Sequence, residues 1–96
     1  MVIVWAERPK RELQKAYRYI SKNSELSAEK FRQDIIRHIQ ALLQFPEKHP
    51  LDKYTPHNDG TWRAFEIHHY RISYRIFKNQ IRIVRLRHTS RSPKSY

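Results

Sequence analysis

At 96 residues the chain has room for one modest core and one working surface, and it reads as a single domain over residues 1–96. Twenty Lys and Arg against nine Asp and Glu leave a formal charge of +11 and a pI near 10.4, more than solubility requires. An anionic partner is therefore expected, nucleic acid first and an acidic protein second. There is no cysteine, which excludes a disulfide framework and a thiolate metal site. The opening run Met1 to Trp5 meets charge at Glu7 and Arg8, too soon for a signal-peptide core or a membrane span, so the expectation is a cytoplasmic chain without a membrane partner.

In chain order, Val2 to Ala6 are β-branched and aromatic residues closed by Pro9, the pattern of a short strand leading into the first turn of a helix. Leu13, Ala16, Tyr17 and Ile20 then recur at helical spacing, with Lys10, Arg11, Gln14, Lys15 and Arg18 on the other side. This helix should end between Ser21 and Ser24. With Ser27 as N-cap, a second helix carries the stripe Ala28, Phe31, Ile35, Ile39, Leu42 and Leu43 and stops before Pro46. Pro46 to Gly60 hold three prolines and the only glycine and read as a long irregular loop. From Trp62 the period changes to two. Phe65 and Ile67, then Ile72, Tyr74 and Ile76, then Val84 and Leu86 all point to one side of a three-stranded antiparallel meander, broken at His68-His69 and at Asn79-Gln80. The fold class is α+β: a two-helix hairpin packed on one face of a four-stranded, largely antiparallel sheet.

The opposite parity places Arg71, Ser73 and Arg75 beside Arg85 and Arg87 on the open face, with Glu66 and His68 joining them. From Trp62 onward nine basic residues stand against one acid, Glu66. Like charges facing one another on a sheet repel, so a ladder of arginines lacking acidic partners reads as an anion site, and the planar guanidinium suits phosphate. A solvated outer face is the alternative. The tail adds His88, Arg91 and Tyr96 just past the last strand. Cleavage of RNA through its own 2'-hydroxyl needs a proton acceptor, a proton donor and cations over the reacting phosphate, and histidine, tyrosine and arginine fill those roles without a metal or other cofactor. The bland alternatives are that His88 caps the sheet end, Tyr96 packs on the surface and Arg91 is solvated. The six histidines do not make a zinc site, because His68 and His69 should project to opposite sides of a strand with no cysteine or helical His pair beside them. No serine sits in a glycine-flanked elbow, and no glycine-rich loop can cradle phosphate.

The order strand, helix hairpin, proline-rich loop and meander, with Trp62-Arg63, Tyr70-Arg71-Ile72-Ser73-Tyr74-Arg75-Ile76 and His88-Thr89-Ser90-Arg91, resembles the RelE/ParE toxin superfamily over nearly the whole chain. In that superfamily the RelE-like and YoeB-like branches are ribosome-dependent mRNA endonucleases and the ParE branch targets DNA gyrase. The resemblance implies an acidic cognate antitoxin as partner. Arg71 matches the arginine implicated in contacting the scissile phosphate, Arg91 and Tyr96 resemble the arginine and near-terminal tyrosine of RelE, and His88 sits near the late histidine of YoeB. The paired lysines of RelE are absent, so Arg63 and His68 would supply that charge. The YoeB glutamate falls in the loop, where Glu47, His49 and Asp52 stand. The hairpin from Tyr19-Ile20-Ser21 to Phe45-Pro46-Glu47 looks more like ParE. The leading expectation is an mRNA interferase acting on ribosome-bound RNA, with Arg71, Arg91, Tyr96 and His88 catalytic and Arg63, His68, Arg75, Arg85 and Arg87 binding substrate. The alternatives are a gyrase-directed toxin without nuclease activity and a non-toxic basic nucleic-acid-binding protein.

Overall fold

The computed structural model describes residues 1–90. Strand β1 (Val2–Trp5) leads through Ala6 into α1 (Glu7–Ser21), which carries Glu7 in its first turn, where the helix dipole favours a carboxylate. Pro9 also lies in that turn, so its missing N–H breaks no helical hydrogen bond. The α1 chain turns back within three residues. Asn23 and Ser24 donate their N–H groups to the Ile20 carbonyl, and Ser24 caps α2 (Glu25–Ala41) by accepting the Ser27 N–H at 3.1 Å. The expected cap at Ser27 is thus corrected to Ser24, with Ser27 as the donor that the cap receives. Along α2 the stripe Ala28, Phe31, Ile35 and Ile39 is buried, as is Leu42 just past its end. Leu43, expected in the same stripe, is 46% exposed, because the helix stops at Ala41 and the next turns tighten to i→i−3 bonds.

Strands β2 (Trp62–Ile67), β3 (Tyr70–Phe77) and β4 (Gln80–His88) form the meander, and the sheet order is β1-β4-β3-β2 with β1 parallel to β4 and the other pairings antiparallel. Both hairpin turns are two-residue turns with positive φ at each central position: 51° and 65° at His68 and His69, 51° and 59° at Lys78 and Asn79. The second turn therefore lies one residue earlier than the expected break, and Gln80 already belongs to β4. Neither histidine lies in a strand, so their expected projection to opposite strand faces does not apply.

The core lies between the helices and the inner side of the sheet, with Phe65, Ile72, Tyr74, Ile81, Ile83 and Leu86 meeting Ala16, Phe31, Ile35 and Ile39. Strict alternation would have put Val84 inward with Leu86. Instead Ser73 pairs with Arg85 while Tyr74 pairs with Ile83, leaving Val84 as the extra residue of a bulge and shifting the inward set to Ile81, Ile83 and Leu86. The loop before β2 is anchored to the sheet edge: Asp52 N–H donates to the Trp62 carbonyl at 2.8 Å, and Ala64 N–H donates to the Pro50 carbonyl at 3.3 Å. No helix among the described residues is long and apolar enough to cross a membrane.

Candidate functional site on the arginine face of the sheet

Alternation along β3 puts Arg71, Ser73 and Arg75 on the side away from the helices, with Arg71 directly between Glu66 on β2 and Arg87 on β4. Arg71 Nη1 lies 3.2 Å from Glu66 Oε2, and Nη2 lies 2.8 Å from Asp52 Oδ1. The ring of Tyr54 sits beneath the same guanidinium, with Arg71 Cζ 4.7 Å from its centroid. The Asp52 side chain is fully buried, and it also accepts the Tyr54 N–H at 3.1 Å and the Thr55 hydroxyl at 3.0 Å. Burial pushes its carboxyl up, but the Arg71 guanidinium, the Tyr54 N–H and the Thr55 hydroxyl outweigh that and hold it below the ordinary aspartate value. The irregular loop is thereby fastened across the open face.

Arg75 and Arg85 have acidic partners as well. Arg75 Nη2 lies 3.4 Å from Asp59 Oδ2, its Nε donates to Thr61 Oγ1 at 3.0 Å, and its Cζ stands 5.1 Å and 4.1 Å from the ring centroids of Trp62 and Phe77. Arg85, only 8% exposed, reaches Glu12 of α1 with Nη2 3.0 Å from Oε2. The reason is topological. β1 ends at Trp5, the Ala6 N–H takes the Ile83 carbonyl, and beyond it the edge of β4 has no strand beside it. Glu12 fills that gap, accepting the Leu86 N–H at 2.9 Å while it holds Arg85. The expected ladder of arginines lacking acidic partners is therefore corrected to one neutralised in part by Glu12, Asp52, Asp59 and Glu66. Glu12, Asp52 and Asp59 come from helix and loop positions that strand parity does not register, whereas Glu66 is the β2 residue that parity already placed there.

Two expected substrate contacts lie elsewhere. Arg63 is paired with Tyr74 on the helix-facing side, where Nη1 donates to the His49 carbonyl at 2.6 Å and ties down the start of the loop. Tyr74 helps by donating its buried hydroxyl to the Pro46 carbonyl at 2.8 Å, and burial pushes that hydroxyl's pKa up to about 12. His68 sits in its turn with Nε2 2.7 Å from Asp34 Oδ2 of α2, an interaction that holds Asp34 below the usual carboxylate range. It fastens the β2–β3 hairpin to the helices. His88 is paired with Tyr70, whose ring packs on the core, so the sheet stands between His88 and Arg71. Its Nδ1 accepts the Ser90 N–H at 3.1 Å, and with Glu12, Lys15, Tyr19, Tyr70 and Ser90 it lines a half-open cavity of about 290 Å³. Arg87 shares a row with Arg71. Arg91 and Tyr96 lie outside the described residues.

Of the loop residues considered as a base, Asp52 is engaged with Arg71, and His49 stacks on Phe65 with ring centroids 4.6 Å apart. Burial lowers the His49 pKa, with the neighbouring Lys48 and His38 acting the same way. Among the described residues no three His, Asp or Glu side chains converge as a metal site would require. Sequence reasoning missed Glu12, Tyr54 and Asp59 altogether. Glu12 gave one signal, a carboxylate in the middle of a helix whose outer side is mostly basic.

A family model for the ParE toxin of the type II toxin-antitoxin system parDE matches residues 3–93, and the chain belongs to that family. Among solved structures, a chain of the chromosomal ParDE TA system from P. aeruginosa matches with a TM-score of 0.71 at 20% identity, covering 92% of this chain and 95% of that one; at that identity the likeness is one of fold. No curated protein matches the sequence.

Proposed function

We propose that the protein is a growth-arresting toxin of the gyrase-directed kind, acting in the cytoplasm and held in check by an acidic antitoxin, rather than an mRNA endonuclease. The observation that carries this reading is the state of Arg71. As a phosphate contact it would have to leave Asp52 and Glu66, and leaving a fully buried carboxylate without its cation is costly. His88, the other described member of the expected catalytic set, lies across the sheet from it. Membership of the ParE family supports the same branch. The antitoxin follows from that membership and from the +11 charge, since disordered acidic segments bind basic surfaces well.

The test is to induce the protein alone and with the neighbouring gene that encodes the candidate antitoxin. Induction alone should arrest growth with double-strand DNA breaks and an SOS response while transcripts stay intact, and coexpression should restore growth. Purified protein should block supercoiling by gyrase. New transcript 5'-ends within translated regions, with unbroken DNA, would overturn the reading in favour of ribosome-dependent cleavage.

A further inference from the structure

The end of the sheet away from Arg71 carries a surface that the proposed function leaves unused. Two adjacent rows cross the open face there. One is Trp62, Arg75, Arg82 and Val4; the other is Phe77, Gln80 and Val2. Phe77 is 44% exposed and Val2 56%, large values for apolar groups that flank Gln80 of β4 in one row of a small sheet. Arg82 is exposed beside them, and Lys78 stands with Nζ 5.3 Å from the Phe77 ring centroid. The Arg75 guanidinium lies over both Trp62 and Phe77 and is steadied by Thr61 and Asp59, so cations and π-faces alternate on one rigid plane.

We infer that this patch binds single-stranded DNA. A nucleic acid strand offers phosphates at the spacing of its bases, and its unpaired bases stack on aromatic rings and on guanidinium planes. Phe77 and the Arg75 plane receive bases, while Arg82 and Lys78 meet the backbone. A duplex hides its base faces and would leave Phe77 and Val2 in water. An acidic peptide would satisfy the cations and leave the rings uncovered. The choice of DNA over RNA rests on the gyrase reading, because gyrase works on DNA; the existence of the patch does not.

The experiment is fluorescence anisotropy of the full chain with a labelled oligothymidylate of about 16 nucleotides, the upper range of a single-domain site. The comparators are a duplex, an oligouridylate and a polyglutamate peptide of similar length. Oligothymidylate should bind tightest. Phe77→Ala should weaken binding about tenfold and Phe77→Tyr should restore it. Arg82→Ala should flatten the logarithmic salt dependence by about 0.7. Lys15→Ala on the outer side of α1 should change binding less than about twofold, the scale of a diffuse charge effect. Unchanged binding by Phe77→Ala, or equal binding of duplex or polyglutamate, would overturn the proposal, and preference for oligouridylate would overturn the assignment to DNA. A protein that binds oligothymidylate in this pattern but leaves gyrase active would sink the gyrase reading and leave the surface standing.

Discussion

Arg71 is the residue that the sequence singles out first and that the structure treats most differently. Its strand position was legible from alternation, but its partner Asp52 lies 19 positions earlier in a loop with no periodicity, so nothing in the pattern could pair them. Replacing Arg71 with Ala strands a carboxylate that has no exposed surface, and such a loss costs about 3–5 kcal/mol, a large part of the stability of a domain this size. Urea unfolding should show that cost directly. If instead Arg71→Ala abolishes toxicity at unchanged stability, Arg71 is a ligand contact and the latch is incidental. The same carboxylate predicts the acid limit. Its folded pKa lies below its unfolded value, so the stabilisation is complete above the unfolded value of about 3.9 and is lost as pH falls through the folded one. Asp34 and Asp59 are also held low, by the hydrogen bonds from His68 and Thr61 respectively. Thermal melts should therefore be flat with respect to these groups from neutral pH to about pH 4 and fall steeply below it. Asp52→Asn should lower stability at neutral pH and shrink the acid-dependent drop, whereas an unaltered pH profile would mean that Asp52 does not report on the latch.

At the scale of elements, the helices and strands were legible because each repeats one period long enough to be read: every third or fourth residue in α1 and α2, every second in the meander. What escaped were the places where a period is interrupted. Val84 falls in a bulge, Leu43 falls after a helix has ended, and Ser24 caps one turn before the residue that spacing suggested. The His68-His69 turn is the sharpest case, since two-residue turns of this kind favour glycine or asparagine and the sequence offers two histidines. A non-glycine residue in the left-handed region costs roughly 1–2 kcal/mol. His68 recovers part of this through Asp34, whereas the His69 side chain meets His88 in a loose stack, with centroids 6.4 Å apart, and its backbone bond from Thr89 would survive a change to glycine. His69→Gly should therefore raise stability by about 1 kcal/mol, and His68→Gly should gain less or lose. Differential scanning calorimetry of the pair decides it, and equal gains would mean that the Asp34 contact contributes nothing.

Taken whole, the molecule has two unlike surfaces: a helical side studded with lysine and arginine, and a sheet side where arginines are held by carboxylates at one end and lie against aromatic rings at the other. One topological feature reaches across this entire plan. The first strand lies beside the last described strand, β1 against β4, and Glu12 near the N-terminus closes on Arg85 and Leu86 more than seventy positions later. A chain made from its N-terminus therefore emerges with β1 lacking its strand partner, and Glu12 of α1 lacking Arg85 and Leu86, until residues 80–88 follow. If the protein is the toxin proposed above, the interval of synthesis should be an interval of harmlessness. A chain cut before Gln80 should be degraded rapidly and leave growing cells untouched, as pulse-chase labelling and a growth assay would reveal. On the proposed reading, toxicity arrives late and all at once, and the moment at which an antidote must be ready is the completion of β4.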